Sequence, residues 1–237
     1  MMKQWEHIIF DVDGVLIDSM PIWEHSASLY LKQVWGIDAA SSIDTDCATL
    51  SLLEAAAYIK QLYPQIDVTE HALADGVAAF IRERYWQADA RPGMQETIQE
   101  LKKRGYHLYL ATASETENVR GALSNLGVWN CFDAIYTCTD IGYSKSYTEY
   151  YEKVAQCIGV PCKDLIMVED SLHSMITAKK AGLTVAAVYE PYSAEDAQMI
   201  RNISDVYIDT LQQLLPLAQR KWGMMCEAHA KGIEKAM

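Results

Sequence analysis

The apolar positions of this chain follow two rhythms in separate stretches. Near the N-terminus, Ile8-Ile9-Phe10 runs straight into Asp11-Val12-Asp13-Gly14. A short apolar block ending in polar residues and glycine reads as a buried strand breaking into a loop. From about residue 20 to 88 the period is helical. Trp23, Ala27, Tyr30, Leu31 and Val34 form one stripe, with Ser19 as cap, Pro21 in the first turn and Gly36 as the stop. A second helix is expected over 50–63, with Leu53, Ala56, Ala57 and Ile59 inward and Pro64 ending it. A third, over 69–86, aligns Leu73, Val77, Phe80, Ile81 and Tyr85. After Arg91-Pro92-Gly93 strand and helix alternate, with helices at 94–104, 115–126, 146–158 and 171–181 and strands at 106–111, 134–137, 164–168 and 184–188. That alternation predicts an α/β fold, a doubly wound and mostly parallel sheet. The helical block has no strand of its own to join that sheet, so it reads as an inserted lid domain. The expected division is 1–18 with 89–215 as core, 19–88 as helical insertion and 216–237 as a helical extension. The stretch 211–237 reads as helix interrupted at Pro216 and loosened at Gly223, its Trp222, Met224 and Met225 either docking on the core or meeting a partner subunit.

Polar residues sit where the strands end. Asp11 and Asp13 are spaced i, i+2, so they leave the first strand on the same side. Two adjacent carboxylates repel and are costly to desolvate, and a hard cation such as Mg2+ between them relieves both penalties. Thr112-Ala113-Ser114 follows a second strand; either hydroxyl could cap the next helix, and a helix N-terminus also receives anions. Lys145 precedes a helix and on its own would be a solvated charge. Glu169-Asp170 follows another apolar strand, as complements to a helix dipole or as metal ligands. In a parallel sheet these ends share one edge, so the four places can converge.

Composition narrows the setting. At 237 residues the chain can bury a full core, and its formal charge of −12 makes it a poor binder of nucleic acid or anionic membranes. An anionic substrate would need local attraction from a metal, a lysine or helix N-termini. No apolar run approaches the roughly 20 residues that span a bilayer, and Ile8-Ile9-Phe10 is too short for a signal peptide. Cysteines 47, 131, 138, 157, 162 and 226 show no C-x-x-C pairing, as expected of reduced cytoplasmic thiols.

In order and spacing, Asp11-x-Asp13-x-Val15, Thr112, Lys145 and Glu169-Asp170 resemble the four motifs of the haloacid dehalogenase-like (HAD) superfamily, and Ser171, Ala178, Ala181 and Gly182 resemble its phosphatase and phosphomutase branch. The resemblance reaches to about residue 215. It implies a Rossmann-like core and an α-helical cap over 19–88. It implies Asp11 as nucleophile forming an aspartyl-phosphate, and Asp13 as general acid and then base. It implies Mg2+ as cofactor, held by Asp11, the carbonyl of Asp13, Asp170, and Glu169 directly or through water. Thr112 would bond the phosphoryl oxygens, Lys145 would offset charge, and Gly14 and Ala113 would complete the phosphate cradle. An Asp in the position of Asp13 separates the phosphate-ester enzymes from the dehalogenases and phosphonate hydrolases of the superfamily. Ser19, Met20, Trp23 and His25 are candidates to touch the leaving group from the cap.

The sequence also departs from that pattern. Ser146 stands where the third motif carries proline, and Ser174 where a glycine is common. The cap histidine of sugar-phosphate mutases falls on Trp23, with His25 two residues on. At about 100° per residue of helix the shift turns the ring to nearly the opposite side. The expectation is therefore a Mg2+-dependent phosphatase acting on a small phosphorylated metabolite, a sugar phosphate or nucleotide monophosphate, as a monomer or homodimer. The alternatives are a β-phosphoglucomutase-like mutase and, more remotely, a non-catalytic metabolite-binding protein, whose mark would be a lost catalytic residue.

Overall fold

A computed structural model describes residues 6–47, 50 and 52–217, and these fall into two compact units, one of residues 6–18 with 89–217 and one of the described residues between 19 and 88. The first is built on β1 (His7–Phe10), β2 (His107–Thr112), β3 (Ala134–Thr137), β4 (Leu165–Glu169), β5 (Thr184–Val188) and β6 (Val206–Ile208). They form one six-stranded sheet, order β3-β2-β1-β4-β5-β6, with every pairing parallel. The fold is thus the doubly wound α/β sheet expected from the alternation. β1 lies at the centre because Ile8, Ile9 and Phe10 are apolar on both faces and almost wholly buried, which is what a strand flanked on both sides requires. One face of the sheet carries Ile9, Tyr109, Ala111, Met167, Val185 and Ala187, in a cluster with Tyr150, Tyr151, Val154, Met175 and Ala178 from the crossover helices. On the other, Phe10 meets the edge of Phe132 at 6.3 Å. Each such fully buried side chain contributes about 2 kcal/mol relative to exposure.

The crossovers are α6 (Met94–Lys103), α7 (Thr116–Asn125), a short α8 (Cys138–Ile141), α9 (Thr148–Ile158) and α10 (Leu172–Lys180). α11 (Ala197–Ile203) and β6 follow, and neither was expected from the pattern. Leu211–Gln213 and α12 (Leu214–Leu217) close the described chain, with Leu211 and Leu214 buried and Pro216 inside the last helix. Trp222, Gly223, Met224 and Met225 lie outside the described residues. The return segment is tied down by a buried ion pair: Arg91 Nη1 meets Glu190 Oε2 at 2.9 Å, and Arg91 Nη2 donates to the Tyr189 carbonyl at 2.8 Å. Asp18 N donates to Asp89 O at 2.9 Å, so the chain leaves this unit and re-enters it at adjacent points.

The second unit is wholly helical among its described residues, with α1 (Met20–Glu24), α2 (Ser26–Trp35), α3 (Ile43–Cys47), α4 (Leu52–Leu62) and α5 (Glu70–Trp86). Its core joins Tyr30, Leu31, Ile43, Ile59, Ile66, Leu73, Val77, Phe80 and Ile81. Tyr30 meets Phe80 edge-on at 5.4 Å, and Gly76 makes room for it, since a Cβ there would stand 2.4 Å from the Tyr30 hydroxyl. Three expectations fail here. The first stripe is two helices, broken at His25, whose φ of −120° and ψ of 20° leave the helical range. Val34 and Trp23, placed on the inward stripe, are 53% and 41% exposed: Trp23 lies in α1, before the break, and Val34 in the last turn of α2, past the buried Ala27, Tyr30 and Leu31. Leu53 is 40% exposed while Ala56 and Ile59 are buried. A run of alanines fits several helical faces equally well and does not fix which one turns inward.

Candidate active site

Every strand end singled out in the sequence arrives at one edge of the sheet. β1 ends at Phe10, and Asp11 N continues the ladder by donating to Val168 O at 3.0 Å. Thr112 is the last residue of β2 and Glu169 the last of β4, both fully buried. Lys145 comes from the loop after β3 and α8, and it too is buried. Its ammonium lies 3.0 Å from Asp11 Oδ1 and 2.6 Å from Glu169 Oε2. Asp11, Glu169 and Asp170 each present a carboxylate oxygen within 4.8 Å of the others.

Loop 11–18 is shaped to admit Asp170. Gly14 sits at φ 75°, a left-handed conformation that glycine adopts without strain, and a Cβ there would lie 2.7 Å from Asp170 Oδ2. Its amide donates to Ile17 O at 3.0 Å, folding the loop back on itself. Glu169 is held at both oxygens by protein donors. Its Oε1 accepts from the amides of Asp170 and Ser171 at 3.2 Å each, and its Oε2 faces Lys145. Asp170 is therefore better placed than Glu169 to turn toward an added ligand.

The electrostatics are unbalanced. Burial, then the charge of Glu169, pushes the Asp11 carboxyl well above the usual carboxylate range, and Lys145 only partly offsets this. Burial and Glu169 do the same to Asp170. Lys145 feels burial in the opposite sense, yet Asp11 and Glu169 hold its ammonium well above the ordinary lysine value, so it stays charged. Three buried acids facing one buried ammonium leave a cluster short of positive charge and made of hard oxygen donors, which is the donor set a divalent cation such as Mg2+ takes.

Two residues behave otherwise than their capping reading implies. α7 is headed by Glu115, with neither Thr112 nor Ser114 as its cap. Thr112 Oγ1 instead accepts from Ser114 N at 3.0 Å, and Ser114 Oγ donates to Asp13 Oδ2 at 2.7 Å. Sequence reasoning missed this second bond, which joins residues 101 positions apart and had no signal in the spacing. Ala113 is exposed and Asp13 half-buried on this rim. Behind Lys145, Tyr150 and Tyr151 are fully buried and anchored by their hydroxyls to the carbonyls of Tyr136 at 2.7 Å and Ser174 at 3.1 Å. Packing from α9 thus backs the loop in which Ser146 replaces a proline.

The four helical-unit candidates lie along α1 and its two ends. Ser19 is buried and Met20 partly so, at the start of α1. Trp23 meets Tyr85 edge-on at 5.9 Å, and His25 lies 3.5 Å from Glu24 and 3.8 Å from Asp44. Because the helix breaks at His25, the rotation argument that set Trp23 and His25 on opposite sides of one helix does not apply.

Known proteins agree with this architecture. Hexitol phosphatase B of Escherichia coli strain K12 is 27% identical over 212 residues, spanning 87% of this chain and 92% of the relative. The β-phosphoglucomutase of Clostridium difficile superposes with a TM-score of 0.65 at 20% identity, covering 92% of this chain and 97% of that one. Bacillus subtilis YfnB, described as a HAD hydrolase and crystallised bound to magnesium, superposes with a TM-score of 0.72 at 18% identity over 92% of this chain and all of that one. The model of the haloacid dehalogenase-like hydrolases matches residues 8–188, from the middle of β1 to the end of β5 and so across every strand end that meets around Asp11. The chain belongs to the haloacid dehalogenase-like hydrolase family.

Proposed function

We propose that this hydrolase is a Mg2+-dependent phosphatase of small phosphorylated metabolites, of the sugar-phosphate or nucleotide-monophosphate class, working through an aspartyl-phosphate. The observation that carries the reading is the buried Lys145 ammonium between Asp11 at 3.0 Å and Glu169 at 2.6 Å, beside Asp170, at the carboxyl edge of the sheet. Asp11 is the nucleophile: its carboxylate attacks phosphorus and splits one hard displacement into two easier ones. Lys145 neutralises charge that a dianionic ester would otherwise meet at Asp11. Thr112 has its oxygen engaged by the Ser114 amide, so its hydroxyl hydrogen is the part it offers to a phosphoryl oxygen. Gly14 and Ala113 frame the phosphate with backbone, and Asp13 gives a proton to the leaving alcohol and later takes one from water, a role typically worth about 10²–10⁴-fold. Asp11, Asp170 and the Asp13 carbonyl would hold Mg2+, with Glu169 directly or through water; the ion supplies charge stabilisation for the transferring phosphoryl group.

The helical unit, inserted directly after Asp18, serves in this reading as a cap that excludes water and selects the leaving group, with Ser19, Met20, Trp23 and His25 as its candidate contacts. The resemblance to hexitol phosphatase B supports a polyol or sugar phosphate. The reading takes the enzyme as cytoplasmic and acting on no nucleic acid or membrane, as a monomer or homodimer. The test is release of inorganic phosphate from 4-nitrophenyl phosphate and from a panel of about a hundred metabolite esters. Turnover that requires Mg2+ and disappears in Asp11→Asn is expected. Turnover indifferent to chelator, or surviving that substitution, defeats the reading. Interconversion of sugar-phosphate isomers with little phosphate released would establish the mutase alternative instead.

A further inference from the structure

We propose that Ser114 is a positioning residue for Asp13, holding its carboxyl for proton transfer at the ester oxygen; the inference rests on the phosphatase reading above. The bond from Ser114 Oγ to Asp13 Oδ2 is 2.7 Å, a normal length for a hydroxyl donor, and it joins residues 101 positions apart. Ser114 itself is held firmly. Its amide donates to Thr112 Oγ1 at 3.0 Å, and Thr112 is fully buried at the end of β2, in register with Thr137 on β3. The hydroxyl therefore stands two residues beyond the strand, in a bend tied back to the strand's last residue. Asp13 lies in the turn after β1 and is half-buried, and the Ser114 bond fixes one of its carboxyl oxygens toward the end of β2.

A hydroxyl suits this task because it both donates and accepts. As Asp11 attacks phosphorus, the phosphorus–ester oxygen bond breaks, its electron pair stays on that oxygen, and Asp13 supplies the proton. In the second half a water oxygen attacks phosphorus, the bond to Asp11 breaks, and Asp13 takes the proton that water loses. Asp13 thus alternates between acid and carboxylate, and Ser114 remains a partner in each state: donor to the carboxylate, acceptor from the acid. Ser114 exchanges no proton with the substrate.

Two rivals predict different kinetics. A Ser114 that contacts the phosphoryl group directly would matter equally for every ester, and a merely structural Ser114 would change stability. The experiment measures phosphoenzyme formation by rapid quench, using 4-nitrophenyl phosphate, whose leaving group departs without a proton, and an alkyl phosphate that the wild-type enzyme hydrolyses. Ser114→Ala is expected to slow the alkyl ester about tenfold, a fraction of what a whole acid–base group is worth, and the aryl ester by less than about twofold. KM and the thermal midpoint stay unchanged, Ser114→Thr restores the alkyl rate, and in an Asp13→Asn background Ser114→Ala adds nothing. Equal slowing of both esters, an undiminished effect in the Asp13→Asn background, or a lowered midpoint with no rescue by threonine overturns the assignment. A wild-type enzyme that releases phosphate from no ester takes the phosphatase reading down with it. An active wild type with an indifferent Ser114 removes only this inference.

Discussion

The two edges of the sheet carry similar residues and use them in opposite ways. At the carboxyl edge Asp11, Glu169, Asp170 and Lys145 are all buried, and the acids outnumber their cation. At the amino edge His7 and His107, paired in register on β1 and β2, stack with ring centroids 4.9 Å apart, and Asp133 pairs with both His107 and Lys102. There the side chains of His107 and Asp133 remain 52% and 32% exposed. Solvated pairs of that kind are worth about 0–1 kcal/mol, whereas desolvated and unbalanced groups persist only where something added to the site compensates them. Burial, more than residue type, separates the chemical edge from the merely charged one.

The largest contrast should come from Asp11→Asn. Phosphatase turnover is expected to fall by at least about four orders of magnitude, since no other carboxylate replaces the nucleophile. In metal-free protein the same change should raise stability by about 1 kcal/mol, because it removes one charge from a crowd of like charges. A loss of activity accompanied by a loss of stability would contradict the picture of a site short of positive charge. The parallel measurement is a thermal melt with and without Mg2+.

Lys145→Met should act in the opposite sense on stability. It leaves Asp11 and Glu169 buried with no ammonium, and breaking a buried pair costs about 3–5 kcal/mol. Mg2+ should recover part of this loss, because a ligand bound only by the folded state stabilises by about 2.7 kcal/mol at a hundred times its dissociation constant. If Mg2+ raises the melting temperature of neither wild type nor Lys145→Met, the acidic cluster is not its site. Gly14→Ala should follow, with a cost of about 1–2 kcal/mol from the left-handed backbone and the 2.7 Å approach to Asp170, and an apparent Mg2+ affinity weakened about tenfold. Unaltered Mg2+ dependence of turnover in that variant would place the ion elsewhere.

Much of the carboxyl edge was legible in the chain. Ile8-Ile9-Phe10-Asp11 announces a buried strand meeting a carboxylate, and parallel crossovers oblige Thr112 and Glu169 to arrive at the same edge. What could not be read has physical causes. The bond from Ser114 to Asp13 depends on how two loops stand in space, which periodicity does not encode. His25 breaks a helix whose apolar stripe reads as continuous, because a stripe reports burial and not backbone dihedral angles. β6 is three residues long and α11 seven, both too short for a period to register. Glu190, an acid after β5, shows nothing in the sequence of its burial against Arg91, a contact made between residues 99 positions apart.

The smallest expected effect lies at the amino edge and tests whether that edge is indeed only solvated charge. Burial, and then the neighbouring His107, lowers the pKa of His7, against the pull of Glu6, Asp164 and Asp133, while its Nδ1 lies 3.2 Å from the Tyr109 hydroxyl. The unfolded chain therefore binds the proton more readily than the folded one. The contribution of a neutral His7 is present above its ordinary value and is lost as pH falls through the folded one. His7→Gln should match wild type at pH 8 and exceed it at pH 5.5 by a few tenths of a kcal/mol, the small size following from solvent screening. Taking the difference between the two proteins at each pH removes the titration of Asp11 and Asp170, which is common to both. Phosphate release at saturating substrate should not change. A difference as large at pH 8 as at pH 5.5 would mean that His7 acts through packing on β1, and a change in turnover would mean that the two edges are coupled through the central strand they share.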